Sequence, residues 1–167
     1  MAGKSTYLIN KVVDAILRGA YTASTGFVGA WGSANAAASG GYLYVGLFTV
    51  MPPNSQSSPY TGYEVSGGSY ARQSIPYNNM SATGFSNTSG TTGASSGSAS
   101  PGSSFNLAPI QFPAPTVNWG VVVGFGLFDA ATNGNLWYSG LLGAPINVVV
   151  GGPGPFFGAG SLVISEG

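Results

Sequence analysis

From Val117 to Leu142 the chain reads VNWGVVVGFGLFDAATNGNLWYSGLL, its longest apolar stretch, interrupted at Asn133-Gly134. That dipeptide readily takes left-handed backbone angles and marks a turn, so the stretch predicts two strands joined there. Along the first strand Val121, Val123, Phe125 and Leu127 share one face, while Gly120, Gly124 and Gly126 lie on the other beside Val122 and Phe128. The odd-numbered face is the expected core. A glycine face is costly in strand propensity, and close approach by another backbone or an aromatic ring would account for it.

The same periodicity places the other elements. Residues 5–18 carry Leu8, Val12, Val13, Ile16 and Leu17 on one stripe, with Ser5 or Thr6 as N-cap and Gly19 beyond the end, and predict a helix. Its stripe serves either the sheet of its own chain or a neighbouring subunit. Tyr21 to Gly41 reads as an ordered loop anchored by Phe27, Val28 and Trp31. Residues 42–75 hold strands. Tyr42 to Val50 is aromatic and β-branched on both faces, and Tyr63 to Ile75 suggests a hairpin turning at Gly67-Gly68, with Val65 opposite Tyr70 and Tyr63 opposite Arg72. Residues 78–104 are low in complexity, with Met80 and Phe85 as anchors, and form a long loop or an arm that orders on a partner. Residues 105–167 then give a strand over Phe105 to Phe112, the apolar hairpin, a strand over Pro145 to Gly151, and a closing strand over Phe156 to Ser165 with Leu162 and Ile164 inward. Together these predict a mainly β single domain spanning 1–167: an antiparallel β-sandwich or barrel-like domain with one N-terminal α-helix and a long low-complexity loop.

Composition changes the picture at one point. Charged residues are 5% of the 167 and cancel to a net charge of zero, while 44% are hydrophobic. An ordinary soluble domain carries roughly 25% charge. So neutral and apolar a chain suits an assembly better than life as a free monomer. The basic residues Lys4, Lys11, Arg18 and Arg72 are too few and scattered to track phosphates, so nucleic acid is not an expected partner. No run approaches the roughly 18 to 20 uninterrupted apolar residues of a membrane helix, and Lys11, Asp14 and Arg18 interrupt the only candidate signal segment.

Candidate chemistry is sparse. The chain has neither histidine nor cysteine, which removes the usual general base and nucleophile–base pairs. Of the four carboxylates, Asp14, Glu64, Asp129 and Glu166, only Glu64 and Asp129 make a conceivable glycosidase pair. Gly93-Ala94-Ser95-Ser96-Gly97 has the spacing of a nucleophile elbow but lies in low-complexity sequence. Gly3-Lys4-Ser5 has no strand before it, and Gly124-Phe125-Gly126 lacks the context of a dinucleotide site. The expectation is a non-enzymatic protein with no cofactor and no metal.

Several segments, in order along most of the chain, resemble a family of small bacteriophage virion structural proteins, often labelled phage tail fibre proteins. They are Tyr7 to Leu17, Leu43 to Thr49, Glu64 to Gln73, Phe112-Pro113-Ala114, Asn118-Trp119-Gly120, Gly126 to Leu136 and Phe157 to Leu162. Residues 78–104 look like an insertion in that pattern, and Gly151-Gly152 stands where the family tends to have Gly-Asp. The resemblance implies a virion component assembled in the bacterial cytoplasm, partnered by other virion proteins such as the major capsid protein or a tail component. It further suggests a homo-oligomer, with a trimer as the symmetry. No repeat marks a fibre shaft, so the expected role is decorating or cementing the head, or forming a short fibre. The alternative is a receptor-binding module on which Trp31, Tyr60, Tyr77 or Trp137 stacks host sugars. Expected interface residues are the apolar anchors Leu8, Val12, Trp31, Met80 and Phe85, with Gly124 and Gly126 from the close-packing glycine face.

Overall fold

A computed structural model describes Val12, Val13, Leu17 and residues 41–77, 83–86 and 102–166. Eight strands run in the order β1 (Gly41–Phe48), β2 (Gln73–Tyr77), β3 (Ser103–Phe105), β4 (Ile110–Gln111), β5 (Gly120–Phe128), β6 (Leu136–Val148), β7 (Phe156–Phe157) and β8 (Val163–Ser165). They form a four-stranded sheet of order β2-β1-β5-β6 and two ribbons, β3-β8 and β4-β7. The mainly β, antiparallel expectation holds, but among the described residues no barrel closes. Of the helix expected over 5–18, only Val12, Val13 and Leu17 are described, each helical, the last two fully buried. The rest lies outside the described residues, so an N-terminal helix is not among the elements established.

The chain divides into two compact units. One comprises residues 1–42, 75–109 and 158–167; the other comprises residues 43–74 and 110–157. In the first unit β3 pairs antiparallel with β8, and Phe85 bridges to Asn106. Asn106 is the hub. Its side-chain nitrogen donates to the carbonyls of Ala108 and Gly158, both at 2.8 Å, and its Oδ1 accepts from the Leu162 amide at 2.8 Å. A buried amide with every donor spent costs no desolvation it does not recover. Leu162 and Ile164 point inward as expected, although the closing strand shortens to β7 and β8, and the segment 105–112 splits between β3 and β4.

The second unit is built on β1 and β5, paired with Gly46 directly opposite Gly126. Here one expectation is overturned. Val122 and Phe128 are fully buried together with Gly124 and Gly126, whereas Val121 is 49% exposed and Val123 and Phe125 are half-buried. Only Leu127 of the anticipated core face is fully covered. The bare face is the packed one because its missing side chains make room for large neighbours. A Cβ on Gly126 would sit 2.7 Å from the Phe48 ring, 2.7 Å from Leu136 and 2.9 Å from the Phe128 ring. On Gly124 it would collide with Met51 Sδ and lie 2.7 Å from the Gly140 carbonyl. The rings of Phe48, Tyr60 and Phe128 gather over this floor in tilted and edge contacts at 5.3 to 6.4 Å.

Both expected turns form, but only the first joins paired strands: β5 and β6 pair antiparallel as expected. Asn133 and Gly134 both have positive φ, at 55° and 69°, but the connection they occupy runs from Asp129 to Asn135, fastened by the Asp129 carboxylate to the Asn135 amide at 2.7 Å. Strand β6 then continues to Val148 and absorbs the strand expected separately at Pro145. Four of its residues, Leu142 to Pro145, stand opposite the single Val123, so the ladder carries a bulge there. Gly67 and Gly68 also turn with positive φ, but no hairpin flanks them; residues 63–65 run along β1 instead, the Val65 amide donating to the Leu47 carbonyl at 2.9 Å.

A matched pair of substitutions checks the glycine floor. Gly124→Ala should destabilise by about 1–3 kcal/mol, since a backbone carbonyl must move. Gly143→Ala, with open space around it, should stay within about 0.5 kcal/mol of the parent in urea unfolding.

Candidate functional site

The strongest concentration of polar chemistry in the second unit lies above Gly46. Arg72 has a side chain only 4% exposed. Its Nε and Nη2 donate to the two carboxylate oxygens of Glu64 at 2.7 and 2.6 Å, while Nη1 donates to the carbonyls of Ala130 at 2.8 Å and Asn133 at 2.7 Å. The guanidinium plane also lies over Phe128, 3.4 Å from the ring centre. The ring against Arg72 is therefore Phe128, whereas the expected hairpin would have put Tyr63 opposite it. Gly46 is required beneath this group, because a Cβ there would meet Phe128 at 2.8 Å and Glu64 Oε1 at 2.9 Å.

Tyr70 completes the cluster. Its hydroxyl accepts from the Leu47 amide at 2.9 Å and donates to Glu64 Oε1 at 2.8 Å, while its ring stacks on Phe112 and meets Trp119 edge-on. Burial pushes the phenol well above its ordinary range, and the Glu64 charge adds to this. Glu64 is thus held by Arg72 and Tyr70, and Asp129 is held by the amide and side chain of Asn135. Glu64 and Asp129 thus each serve a separate structural bond and do not face one another as a pair. Among the described residues no group of three or more acids could hold a metal ion.

The other candidate is a surface. Strand β6 is the outer strand of its sheet, and its thirteen residues, LWYSGLLGAPINV, contain no charge. Leu141 is 70% exposed, and Ile146, Val149 and Val150 are also exposed. Phe156 on β7 is 57% exposed. No periodicity argument singled out these positions, because alternation alone does not tell a central strand from an edge. Of the expected interface residues, Leu8, Trp31 and Met80 lie outside the described residues. Val12 is half-buried, Phe85 is buried beside Asn106 in its own unit, and Gly124 and Gly126 are buried under Met51, Phe48 and Leu136.

Two measurements check the cluster. Arg72→Met should cost about 3–5 kcal/mol in urea unfolding, because it strands Glu64 and two carbonyls, and Arg72→Lys should recover only part of that since it cannot form the two-pronged pair. For Tyr70, a folded-state phenol raised above its unfolded value contributes stability that is intact below about pH 10 and falls as pH rises further, because only the unfolded chain ionises there. Tyr70→Phe should flatten that alkaline decline; parallel declines in parent and variant would contradict the assignment.

The family described as podophage GP4 fiber I protein gp80 matches residues 3–165, nearly the whole chain. No curated protein matches significantly. The segments that carried the resemblance to phage fibre proteins fall on β1, on the Glu64–Arg72 cluster and on β5 with its loop, so the match covers the framework just described. The chain belongs to the podophage GP4 fiber I protein gp80 family and is a bacteriophage virion structural protein of fibre type.

Proposed function

We propose that the protein is a subunit of a short surface fibre that assembles through the outer edge of β6, first with further copies of itself and then with another virion protein, the major capsid protein or a tail component. The observation that carries this reading is a thirteen-residue edge strand without a single charge, bearing Leu141 at 70% exposure. An open edge presents a row of backbone donors and acceptors, and soluble monomers usually guard such an edge with lysines or other charges. Among the described residues Pro145 and the bulge beside it interrupt β6, as does a second irregularity at Trp137. Apolar contacts and backbone pairing join subunits without charges to desolvate, which suits a chain with 5% charged residues. The family's description as a fibre protein supports a short fibre over a head-decorating or cementing role.

Light scattering on the purified protein tests the reading. The expected species is a homo-oligomer, a trimer by the family resemblance, whose mass changes little between low and moderate salt. Leu141→Glu should shift it toward monomer while leaving the melting temperature within a few degrees, since the side chain is already exposed. An unchanged oligomer mass in Leu141→Glu, or dissociation by moderate salt alone, would contradict assembly through β6. Particles lacking the protein should keep their heat and pressure resistance; loss of that resistance would indicate cement.

A further inference from the structure

Strand β6 has backbone groups left over from its ladder with β5, and the pairing of β1 with β5 identifies them. The Leu47 amide donates to the Tyr70 hydroxyl at 2.9 Å and its carbonyl accepts from the Val65 amide at 2.9 Å, so Leu47 turns both groups away from β5. Its partner Phe125 then turns both of its own toward β6, because the two groups of one residue point the same way and successive residues alternate. Phe125 pairs with Gly140, which faces back into the sheet, so the flanking Ser139 and Leu141 aim their N–H and C=O groups outward. Among the described residues no hydrogen bond meets these four groups. We infer that the same two residues of a second copy meet them: β6 pairs antiparallel with β6 across a two-fold axis at Gly140, Ser139 of each strand opposite Leu141 of the other. This pairing rests on the assembly through β6 proposed above and supplies its partner strand and register.

Three features favour this partner and this register. First, a strand that meets its own copy about a two-fold axis brings each side chain near the axis close to its equivalent, so a charge there would face a like charge. Strand β6 has none. Second, glycine suits the position on the axis. Gly140 turns its backbone inward in both copies, and a pair of that kind brings Cα atoms to about 4.5 Å, the closest approach in an antiparallel ladder. The missing side chain leaves that space to the Phe125 ring, which lies 3.0 Å from where a Gly140 Cβ would be. Third, the regular part of the strand ends on both sides of this window. The ladder is irregular at Trp137, and beyond Leu141 the residues Leu142 to Pro145 stand opposite Val123 alone, with no N–H on Pro145. An alignment centred elsewhere on β6 would lay an irregular segment against the partner and lose backbone bonds. In the alignment about Gly140 each Leu141, 70% exposed in the single chain, lies diagonally across from the other, within reach of an aliphatic contact.

The chain has no cysteine, so single-cysteine variants of the full chain report the register without background. Ser139→Cys and Leu141→Cys, mixed in equal amounts under reducing conditions and then oxidised with copper phenanthroline, should form the mixed disulfide at least about fivefold over either homodisulfide, since opposite residues of this kind stand at disulfide distance. Ser139→Pro removes an outward N–H and none that faces β5. It should raise the dissociation constant of the oligomer about tenfold or more while the far-ultraviolet circular dichroism stays that of the parent. Light scattering should give an even number of copies, where the family resemblance suggests three. The pairing is overturned if homodisulfides dominate, if no mixed disulfide forms, if a folded Ser139→Pro associates as the parent does, or if the mass is that of a trimer. A trimer that Leu141→Glu still dissociates would remove the two-fold pairing alone and leave assembly through β6 standing.

Discussion

A single buried cation organises the second unit. Arg72 brings together the segment after β1, the segment before β2 and the loop joining β5 to β6, using all three nitrogens and the face of Phe128. A guanidinium removed from water is tolerable only when its donors are met nearly in full, and here the partners are a carboxylate, two carbonyls and a ring. That requirement propagates. It demands Glu64 at one oxygen-to-nitrogen geometry and Tyr70 to share the carboxylate. Beneath both it needs Gly46 without a side chain, and opposite Gly46 it needs Gly126 to leave room for the Phe48 and Phe128 rings. The glycines, the aromatics and the ion pair are one solution to one packing problem.

Much of this was legible in the residues. The strands at 42–50 and 120–128, the Asn133-Gly134 and Gly67-Gly68 turns, and the need for something close against Gly124 and Gly126 follow from periodicity and from the backbone freedom of glycine. The choice of core face did not follow. Periodicity reports which residues share a face, and hydrophobic bulk then suggests that the bulkier face is buried. In this sheet the partners supply the bulk, as rings descending on a glycine floor, so side-chain count pointed the wrong way. The extension of β6 through Pro145 was similarly hidden, because proline in a strand reads as a stop and only an edge with a bulge accommodates it.

The candidate surfaces were less legible than the fold. Trp137 and Tyr138 share a groove with Pro52, Pro53, Asn54 and Gln56, which lie about eighty residues away in sequence, and no local pattern joins them. The apolar anchors expected at an interface stand out in small-residue sequence. Phe85 is buried, and its backbone bridges to Asn106 within its own unit. An isolated large side chain in bland sequence signals an anchor, without saying whether it holds a partner or its own unit.

The bulge at Leu142 to Pro145 bears on how the hairpin finds its alignment. Strand β5 alternates glycines with aliphatic residues, and such a strand gives a sliding neighbour little to distinguish one pairing from the next. Pro145 has no amide hydrogen to offer, so a slipped β6 that brought it into a bonded position would lose a ladder bond. The four residues facing Val123 therefore favour the observed alignment over slipped ones. For the assembly we propose through β6, a fixed alignment means that every copy presents the same sequence of donors, acceptors and side chains.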